Sequence, residues 1–131
     1  MFEELKKIIK NSYSNISNYK VACIVKMKDG KTFHGVNVEN PSFKDGMCAE
    51  QVAIGTAISE GYTKGDFLEL YLLGDDDYSI TPCFLCRQYL VEFFELDKKV
   101  ISYNSEGEET IYKISDLCPY TFSERELVND K

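Results

Sequence analysis

The segments Cys48-Ala49-Glu50 and Pro82-Cys83-Phe84-Leu85-Cys86 hold the most reactive residue types of this chain, three thiols and one carboxyl group. The two cysteines of the second segment are three residues apart, so a helix would present both on one face. The proline before them fits the first turn of a helix, where a missing N–H is no loss. An apolar stretch from Ala49 to Ile58 predicts another, buried helix that ends near Gly61. Both cysteine groups therefore fall at predicted helix N-termini, where the helix dipole and free N–H groups favour thiolates.

Three thiolates around one cation are a typical ligand set for zinc. A catalytic zinc site uses three protein ligands and leaves the fourth position for water. Glu50, two residues after the first cysteine, could then carry a proton of that water without being a ligand. This order, followed by Pro-Cys-x-x-Cys, is the three-cysteine form of the zinc deaminase signature. The sequence therefore predicts one Zn²⁺ held by Cys48, Cys83 and Cys86, with Glu50 as the catalytic acid and base.

Other interpretations of the cysteines stay open at this level. A lone Cys-x-x-Cys can be a redox pair. It can also be half of a structural four-cysteine zinc site, here completed by Cys23 or Cys118. Such a site would make the chain a non-catalytic zinc-binding domain. The order of the motifs and their positions on predicted helices favour the catalytic site.

Composition narrows the class of protein and of substrate. A length of 131 residues predicts one domain over residues 1–131. Five cysteines, an odd number without framework spacing, predict reduced thiols and a cytoplasmic protein. No apolar run is long enough for a membrane span and the first residues do not resemble a signal peptide, so no membrane association is expected. A net charge of −7 disfavours nucleic acid as a partner and favours a small, uncharged or cationic substrate.

The hydrophobic pattern predicts secondary-structure elements in the order αββαβαββα. Predicted helices cover 3–12, 49 to near 61, 82–96 and a short C-terminal segment that opens with the capping box Ser123-Glu124-Arg125-Glu126. Predicted strands cover 21–27, 32–38, 67–73, 99–103 and 110–114. The run Asp75-Asp76-Asp77 is interpreted as a solvated loop rather than a cation site. The order favours an α/β fold of three layers, α/β/α, in which a mixed central sheet of about five strands has helices on both faces.

Three further segments carry motifs of one known family. Ser17–Ala22 is similar to a Ser-x-Phe-x-Val-Gly segment, with Tyr19 in place of Phe. Gly35–Asn40 matches Gly-x-Asn-x-Glu-Asn, and Leu117–Phe122 is similar to a Leu-Leu-Pro-x-x-Phe tail. Together with the two cysteine motifs, these segments resemble the small cytidine deaminases with three cysteine ligands. The resemblance extends over nearly the whole chain and implies a cytidine-deaminase-like fold.

The resemblance implies hydrolytic deamination of cytidine and 2′-deoxycytidine to uridine and 2′-deoxyuridine with release of ammonia, a step of pyrimidine salvage. Asn37 and Glu39 match the residues that hold the ribose 3′-hydroxyl in this family. Ala49 matches a residue whose backbone holds the base edge, and Tyr19 lies in a substrate-binding segment. Phe122 matches the aromatic residue that stacks on the base in a neighbouring subunit's pocket. The resemblance also implies a homotetramer whose active sites are shared between subunits.

One departure from the family pattern bears on the chemistry. The family usually has Arg directly after the catalytic Glu, bonded to the zinc thiolates, whereas this chain has Gln51. Zn²⁺ with three thiolates carries a net negative charge and is a poorer Lewis acid, so a nearby cation should help. Gln51 can donate only a neutral hydrogen bond, which leaves Arg87 as the candidate to compensate. Blasticidin S deaminases also lack that Arg, so a blasticidin S-type or other aminopyrimidine nucleoside substrate is the alternative; Glu39, however, favours ordinary nucleosides.

Overall fold

The computed structural model describes residues 1–123, and they are built around one five-stranded sheet with the strand order β2-β1-β3-β4-β5. The strands are β1 (Val21–Met27), β2 (Thr32–Val36), β3 (Phe67–Gly74), β4 (Lys99–Tyr103) and β5 (Glu109–Lys113). Neighbouring strands run antiparallel, except that β3 and β4 run parallel. The predicted mixed sheet is therefore confirmed.

Helices cover both faces of the sheet, which confirms the three-layer arrangement. They are α1 (Phe2–Ile8), α2 (Ala49–Ser59), α3 (Phe84–Phe93) and the short α4 (Ile114–Leu117). Side chains of β1 alternate between the two faces, as the pleat requires. Ala22 and Ile24 pack with Leu5 of α1 on one face. Cys23 and Val25 pack on the other face with the buried residues of α2, α3 and α4.

One edge of the sheet gathers the segments that carry the chemistry. The β1 residues Val21 and Ala22 are paired with Gly74 of β3 and Val36 of β2, respectively. The start of β1 and the ends of β2 and β3 therefore lie together. The chain leaves β2 at this edge toward α2, and it leaves β3 at the same edge toward α3. This topology brings the N-termini of α2 and α3 to one place.

Several predicted boundaries differ from the structure. The helix predicted over 3–12 ends at Ile8 and continues as the 3₁₀ turn Ile9–Asn11. The helix predicted from Pro82 begins at Phe84, because Cys83 is its N-cap and has an extended backbone (φ −67°, ψ 166°). β2 ends at Val36, so the predicted residues 37 and 38 lie beyond it, and Val38 forms isolated bridges to residues 13 and 47.

The C-terminal part of the chain also differs from the prediction. β5 ends at Lys113, and Ile114, predicted as a strand residue, begins the unpredicted helix α4. The capping box predicted to open a last helix at Ser123 extends outside the described residues. None of the helices within residues 1–123 has the length and apolar character needed to cross a bilayer.

Candidate active site

Three thiols meet where α2 and α3 begin. Cys48 is the N-cap residue of α2, Cys83 is the N-cap residue of α3, and Cys86 lies buried in the first turn of α3. Their Sγ atoms all lie within 4.8 Å of one another, and those of Cys48 and Cys83 are 3.9 Å apart. Thiolates held tetrahedrally at a Zn–S distance of about 2.3 Å lie about 3.8 Å apart. The three thiols therefore fit one Zn²⁺.

Within the described part of the chain, the group of mutually close metal-binding atoms consists of these three Sγ atoms. Cys23 is fully buried among core residues of β1. Cys118 lies beside α3, where its Sγ contacts the backbone oxygen of Arg87 at 3.8 Å. Neither residue joins the thiol group, so the geometry contradicts a four-cysteine site completed by either of them. Three protein ligands leave one position of a tetrahedral ion open.

The pKa values of the Cys48 and Cys86 thiols are shifted in opposite directions. A hydrogen bond from Cys86 lowers the pKa of Cys48 to about 6, against the opposing effect of burial. The same hydrogen bond, together with burial, raises the pKa of Cys86. Cys48 therefore ionises near neutral pH, and thiolate is the form that binds a metal ion.

Glu50 lies beside the thiols and is almost completely buried, with 4% of its surface exposed. Burial raises the pKa of its carboxyl group to about 7, because a charged carboxylate is poorly solvated there. The negative charge of Cys48 acts in the same direction. A carboxyl group with a pKa near neutrality can both accept and release a proton.

A cleft of about 690 Å³ opens over these residues. It brings together most of the residues that the sequence nominates for the site: Tyr19, Asn37, Glu39, Cys48, Ala49, Glu50, Gln51 and Cys83. The wall formed by Tyr78, Ser79, Ile80 and Thr81 was not predicted from the sequence. Cys86 lies behind the lining residues of the cleft, and Arg87 and Phe122 line a separate groove.

Asn37 and Glu39 both line the cleft, and the side chains of both already form hydrogen bonds with backbone groups. The Asn37 side-chain oxygen accepts hydrogen bonds from the Ser12 hydroxyl (2.5 Å) and the Val21 amide (2.9 Å), and its amide group donates to the Tyr19 carbonyl (2.8 Å). An amide of this kind has two N–H donors, so one has no partner within residues 1–123 and is available to a ligand. Glu39 accepts from the hydroxyl and backbone N–H of Ser17, which lower the pKa of its carboxyl group.

Comparison with known proteins identifies the family. A sequence profile of the cytidine and deoxycytidylate deaminase zinc-binding region matches residues 1–103, which include all three clustered cysteines. The chain belongs to the cytidine and deoxycytidylate deaminase family. It is 34% identical to the cytidine deaminase of Mycoplasma genitalium over 89% of this chain and 88% of that protein. It is 30% identical to the cytidine deaminase of Halalkalibacterium halodurans over 97% of this chain and 95% of the relative.

Solved structures agree with this assignment. The crystal structure of cytidine deaminase from Burkholderia pseudomallei superposes with a TM-score of 0.87 at 35% identity and covers 92% of this chain and 94% of that one. The predicted cytidine-deaminase-like fold is confirmed by this match. The predicted zinc cofactor is confirmed by the zinc-binding family region together with the fit of the three thiols.

The departure from the usual cytidine deaminase motif at Gln51 takes a form that the sequence does not predict. The Gln51 side-chain oxygen accepts a hydrogen bond from the backbone N–H of Cys48 at 2.7 Å. Gln51 therefore caps α2 and orients the ligand residue Cys48. A side chain at the third helical position that reaches back to the N-cap residue is half of a capping box.

The guanidinium of Arg87 forms its contacts with groups other than the thiols. It donates to the carbonyl oxygens of Pro82 (2.8 Å) and Leu117 (2.9 Å) and stacks over the ring of Phe84 at 4.3 Å. The compensation predicted for Arg87 is therefore not direct. Arg87 instead ties the segment before Cys83 to the last residue of α4, Leu117.

Phe122 lies away from the cleft of its own chain, with 54% of its surface exposed. Its carbonyl accepts a hydrogen bond from Gln88 of α3 at 2.8 Å.

The acidic loop after β3, which is predicted to be solvated, instead contacts the segment before β1. Asp75 accepts from the Lys20 backbone, and Asp76 accepts from the hydroxyl of Tyr19. The one signal for this contact is the Tyr that stands where the cytidine deaminase motif has Phe.

Proposed function

We propose that this chain deaminates cytidine and 2′-deoxycytidine hydrolytically to the uridine nucleosides and ammonia, as a cytoplasmic step of pyrimidine salvage. The observation that supports this most strongly is the group of three thiols beside the buried carboxyl of Glu50, on a cleft large enough for a nucleoside. Relatives named cytidine deaminase support the substrate class. No feature of the cleft favours blasticidin S over cytidine.

The proton transfers fall to Glu50. Zn²⁺ bound by Cys48, Cys83 and Cys86 supplies a Lewis acid that lets water act as a nucleophile near neutral pH. Glu50 takes a proton from the attacking water and delivers it to N3 of the base as C4 becomes tetrahedral. It then passes the second proton of that water to the amino group, which leaves as ammonia while a carbonyl forms at C4. The near-neutral pKa of Glu50 suits both directions of transfer.

The remaining lining residues would hold the nucleoside. Glu39 has acceptor capacity left beside its contacts to Ile16 and Ser17, and one N–H of Asn37 has no partner among residues 1–123. The pair can therefore bind a sugar hydroxyl as acceptor and donor. The backbone of Ala49 lies at the cleft and can hold the base edge, and the ring of Tyr19 provides an apolar wall. The acidic charge of the chain, −7, agrees with an uncharged nucleoside rather than a nucleic acid.

We further propose a homotetramer in which Phe122 enters the cleft of a neighbouring subunit. Large apolar side chains are exposed on α3 and on the segment after α4: Phe84, Leu85, Tyr120 and Phe122. A surface of this kind usually belongs to an interface. Stacking of an aromatic ring on a base contributes roughly 1–3 kcal/mol. A second copy of the chain can supply this ring, because Phe122 does not line the cleft of its own chain.

An ultraviolet assay that follows loss of the cytosine chromophore tests the reaction. The zinc-loaded protein should convert cytidine and deoxycytidine, whereas cytosine and blasticidin S, run in parallel, should react much more slowly. Conversion of blasticidin S alone would overturn the substrate assignment. A protein that binds one zinc per chain and converts none of the four would be a non-catalytic zinc domain.

Glu50→Gln is the matched variant for the proton transfers. It keeps the shape and hydrogen bonding of the side chain but cannot carry a proton, so kcat should fall at least about 10³-fold while metal analysis still finds one zinc per chain. Near-normal turnover in this variant would refute the role of Glu50. Removal of zinc with a chelator should abolish activity and lower the melting temperature, and added Zn²⁺ should restore both.

A further inference from the structure

The segment from Asp75 to Thr81 forms one wall of the cleft. Four of its residues, from Tyr78 to Thr81, line the cleft together with residues that follow β2. The segment leads directly to Pro82 and the thiol ligand Cys83. Its position therefore affects both the width of the cleft and the placement of one ligand.

The end of this wall nearest Cys83 is fixed by contacts behind it. The Ser102 hydroxyl on β4 donates to the carbonyl of Ile80 at 2.6 Å. Arg87 donates to the hydroxyl of Thr81 at 3.2 Å as well as to the carbonyl of Pro82. These contacts reach the wall from the sheet and from α3, and they do not involve Tyr19.

The beginning of the wall is held from the neighbouring segment before β1, because Val21 of β1 pairs with Gly74 at the end of β3. The hydroxyl of Tyr19, whose ring lines the cleft, donates a 2.5 Å hydrogen bond to the carboxylate of Asp76. The next backbone N–H, that of Lys20, donates to Asp75 at 2.7 Å. Asp76 is half-buried, and a hydrogen bond to a carboxylate in such a place is stronger than one between neutral groups.

Packing around Gly74 matches this contact. A Cβ atom at Gly74 would lie 3.0 Å from the Tyr19 hydroxyl oxygen and 2.8 Å from Cδ1 of Ile80. The absence of a side chain therefore lets Tyr19, from the segment before β1, and Ile80, from the wall, pack over the end of β3. The hydroxyl of Tyr19 thus has a prepared position next to Asp76.

We propose that Tyr19 and Asp76 form a positioning pair, whose hydrogen bond anchors the segment 75–81 to the segment before β1 and so fixes the position of this wall beside the substrate. This role rests on the proposed nucleoside deaminase function and adds Asp76 to the residues that shape the site. The pair lies at the wall and not at the thiols or Glu50. Its loss should therefore weaken substrate binding much more than it slows the chemical step.

The test compares Tyr19→Phe, Asp76→Ala and the double variant in steady-state kinetics with cytidine. Each single variant should raise KM roughly tenfold, the effect of losing a hydrogen bond to a charged group, and kcat should fall far less. The double variant should be no worse than either single variant, because one shared contact is lost in all three. Asp76→Asn keeps an acceptor for the Tyr19 hydroxyl and should recover part of the loss. Additive KM effects, or a normal KM in Tyr19→Phe, would overturn the proposal.

A second Tyr–Asp pair in the chain provides the control. Tyr62 donates to Asp29 at 2.6 Å at the β1–β2 turn, outside the cleft, so Tyr62→Phe makes the same chemical change and should leave KM unchanged. A KM increase in Tyr62→Phe equal to that in Tyr19→Phe would show a general stability effect and overturn the proposal.

Hydrogen exchange measured by mass spectrometry reports on the wall without reference to activity. Peptides that cover residues 75–81 should exchange faster in Tyr19→Phe and Asp76→Ala than in the wild type, whereas Tyr62→Phe should not change them. Unchanged exchange in all variants would overturn the positioning role. If the wild type fails to convert cytidine, the proposed function fails, and the exchange result alone decides whether the pair holds the wall.

Discussion

Glu50 and Glu39 line the same cleft, yet their surroundings move their pKa values in opposite directions. Burial raises the pKa of Glu50 to about 7, whereas hydrogen bonds from Ser17 lower the pKa of Glu39. Carboxyl groups separated in this way can take different roles in one site. Glu50 is suited to proton transfer, and Glu39 stays an anion that can accept hydrogen bonds, as the proposed sugar-binding role requires.

Substitution of Glu39 tests the second of these roles. Glu39→Gln should raise KM for cytidine roughly tenfold, with a much smaller change in kcat, because a neutral amide replaces a charged acceptor. Since the pKa of Glu39 is lowered, its carboxylate is ionised throughout about pH 6 to 8 and the KM ratio should be constant over that range. Glu95→Gln is the control, since Glu95 is another carboxylate with a lowered pKa but bonds to Lys28 away from the cleft. An unaltered KM in Glu39→Gln would count against sugar binding there.

Residue types and spacing were sufficient to nominate the thiols and Glu50, because zinc chemistry restricts which groups can serve and a helix fixes how they are presented. The directions of Gln51 and Arg87 were not accessible in this way. Gln51 accepts from the Cys48 N–H, and Arg87 donates to two carbonyls. Long polar side chains have many rotamers, and tertiary contacts that the sequence does not encode locally decide among them.

Among the elements, the strands were predictable from their β-rich runs and the flanking turns. Helix boundaries were less so. Pro82 suits a first turn, but Cys83 needs an extended N-cap backbone, so α3 begins two residues later than Pro82. α4 is only four residues long, too short for a helical period to emerge from its sequence. The contact between β2 and α2 could not be predicted from the hydrophobic pattern either, because the glycine at this contact adds no apolar side chain to that pattern.

Gly35 of β2 lies against the backbone of α2, and this contact sets the position of the helix that begins at Cys48. A Cβ at Gly35 would lie 2.5 Å from the Ala53 nitrogen and 2.7 Å from the Ala49 oxygen. Gly35→Ala should therefore lower the free energy of unfolding by roughly 1–3 kcal/mol and weaken zinc binding, because α2 must shift. Gly55→Ala in the same helix meets no atom within 4 Å and should stabilise the protein by roughly 0.5–1 kcal/mol. Urea denaturation of the zinc-loaded variants at one zinc concentration measures both, and a neutral Gly35→Ala would contradict the close packing.

At the scale of the whole molecule, one exposed apolar surface of the described residues lies near the start of α3 and the segment after α4. Phe84 and Leu85 directly follow the ligand Cys83, so this surface adjoins the candidate active site. Arg87 fixes its geometry by joining Pro82 to Leu117, and Gln88 holds the backbone of Phe122. An association of subunits through this surface would therefore act directly on the site.

Mixing two inactive variants tests whether subunits share their sites. Glu50→Gln subunits keep Phe122 but lack the proton carrier, whereas Phe122→Ala subunits keep Glu50 but offer no ring to a neighbour. If Phe122 completes the site of another subunit, co-expression of both should produce some sites with Glu50 from one chain and Phe122 from the other. Random assembly with one donor per site would make about a quarter of the sites complete, so the activity should exceed the average of the two homo-oligomers.

Tyr120→Ala, which alters an exposed ring two residues earlier, replaces Phe122→Ala in the control mixture. Activity no higher than the average, in mixed oligomers verified by mass spectrometry, would mean that Phe122 acts only within its own chain.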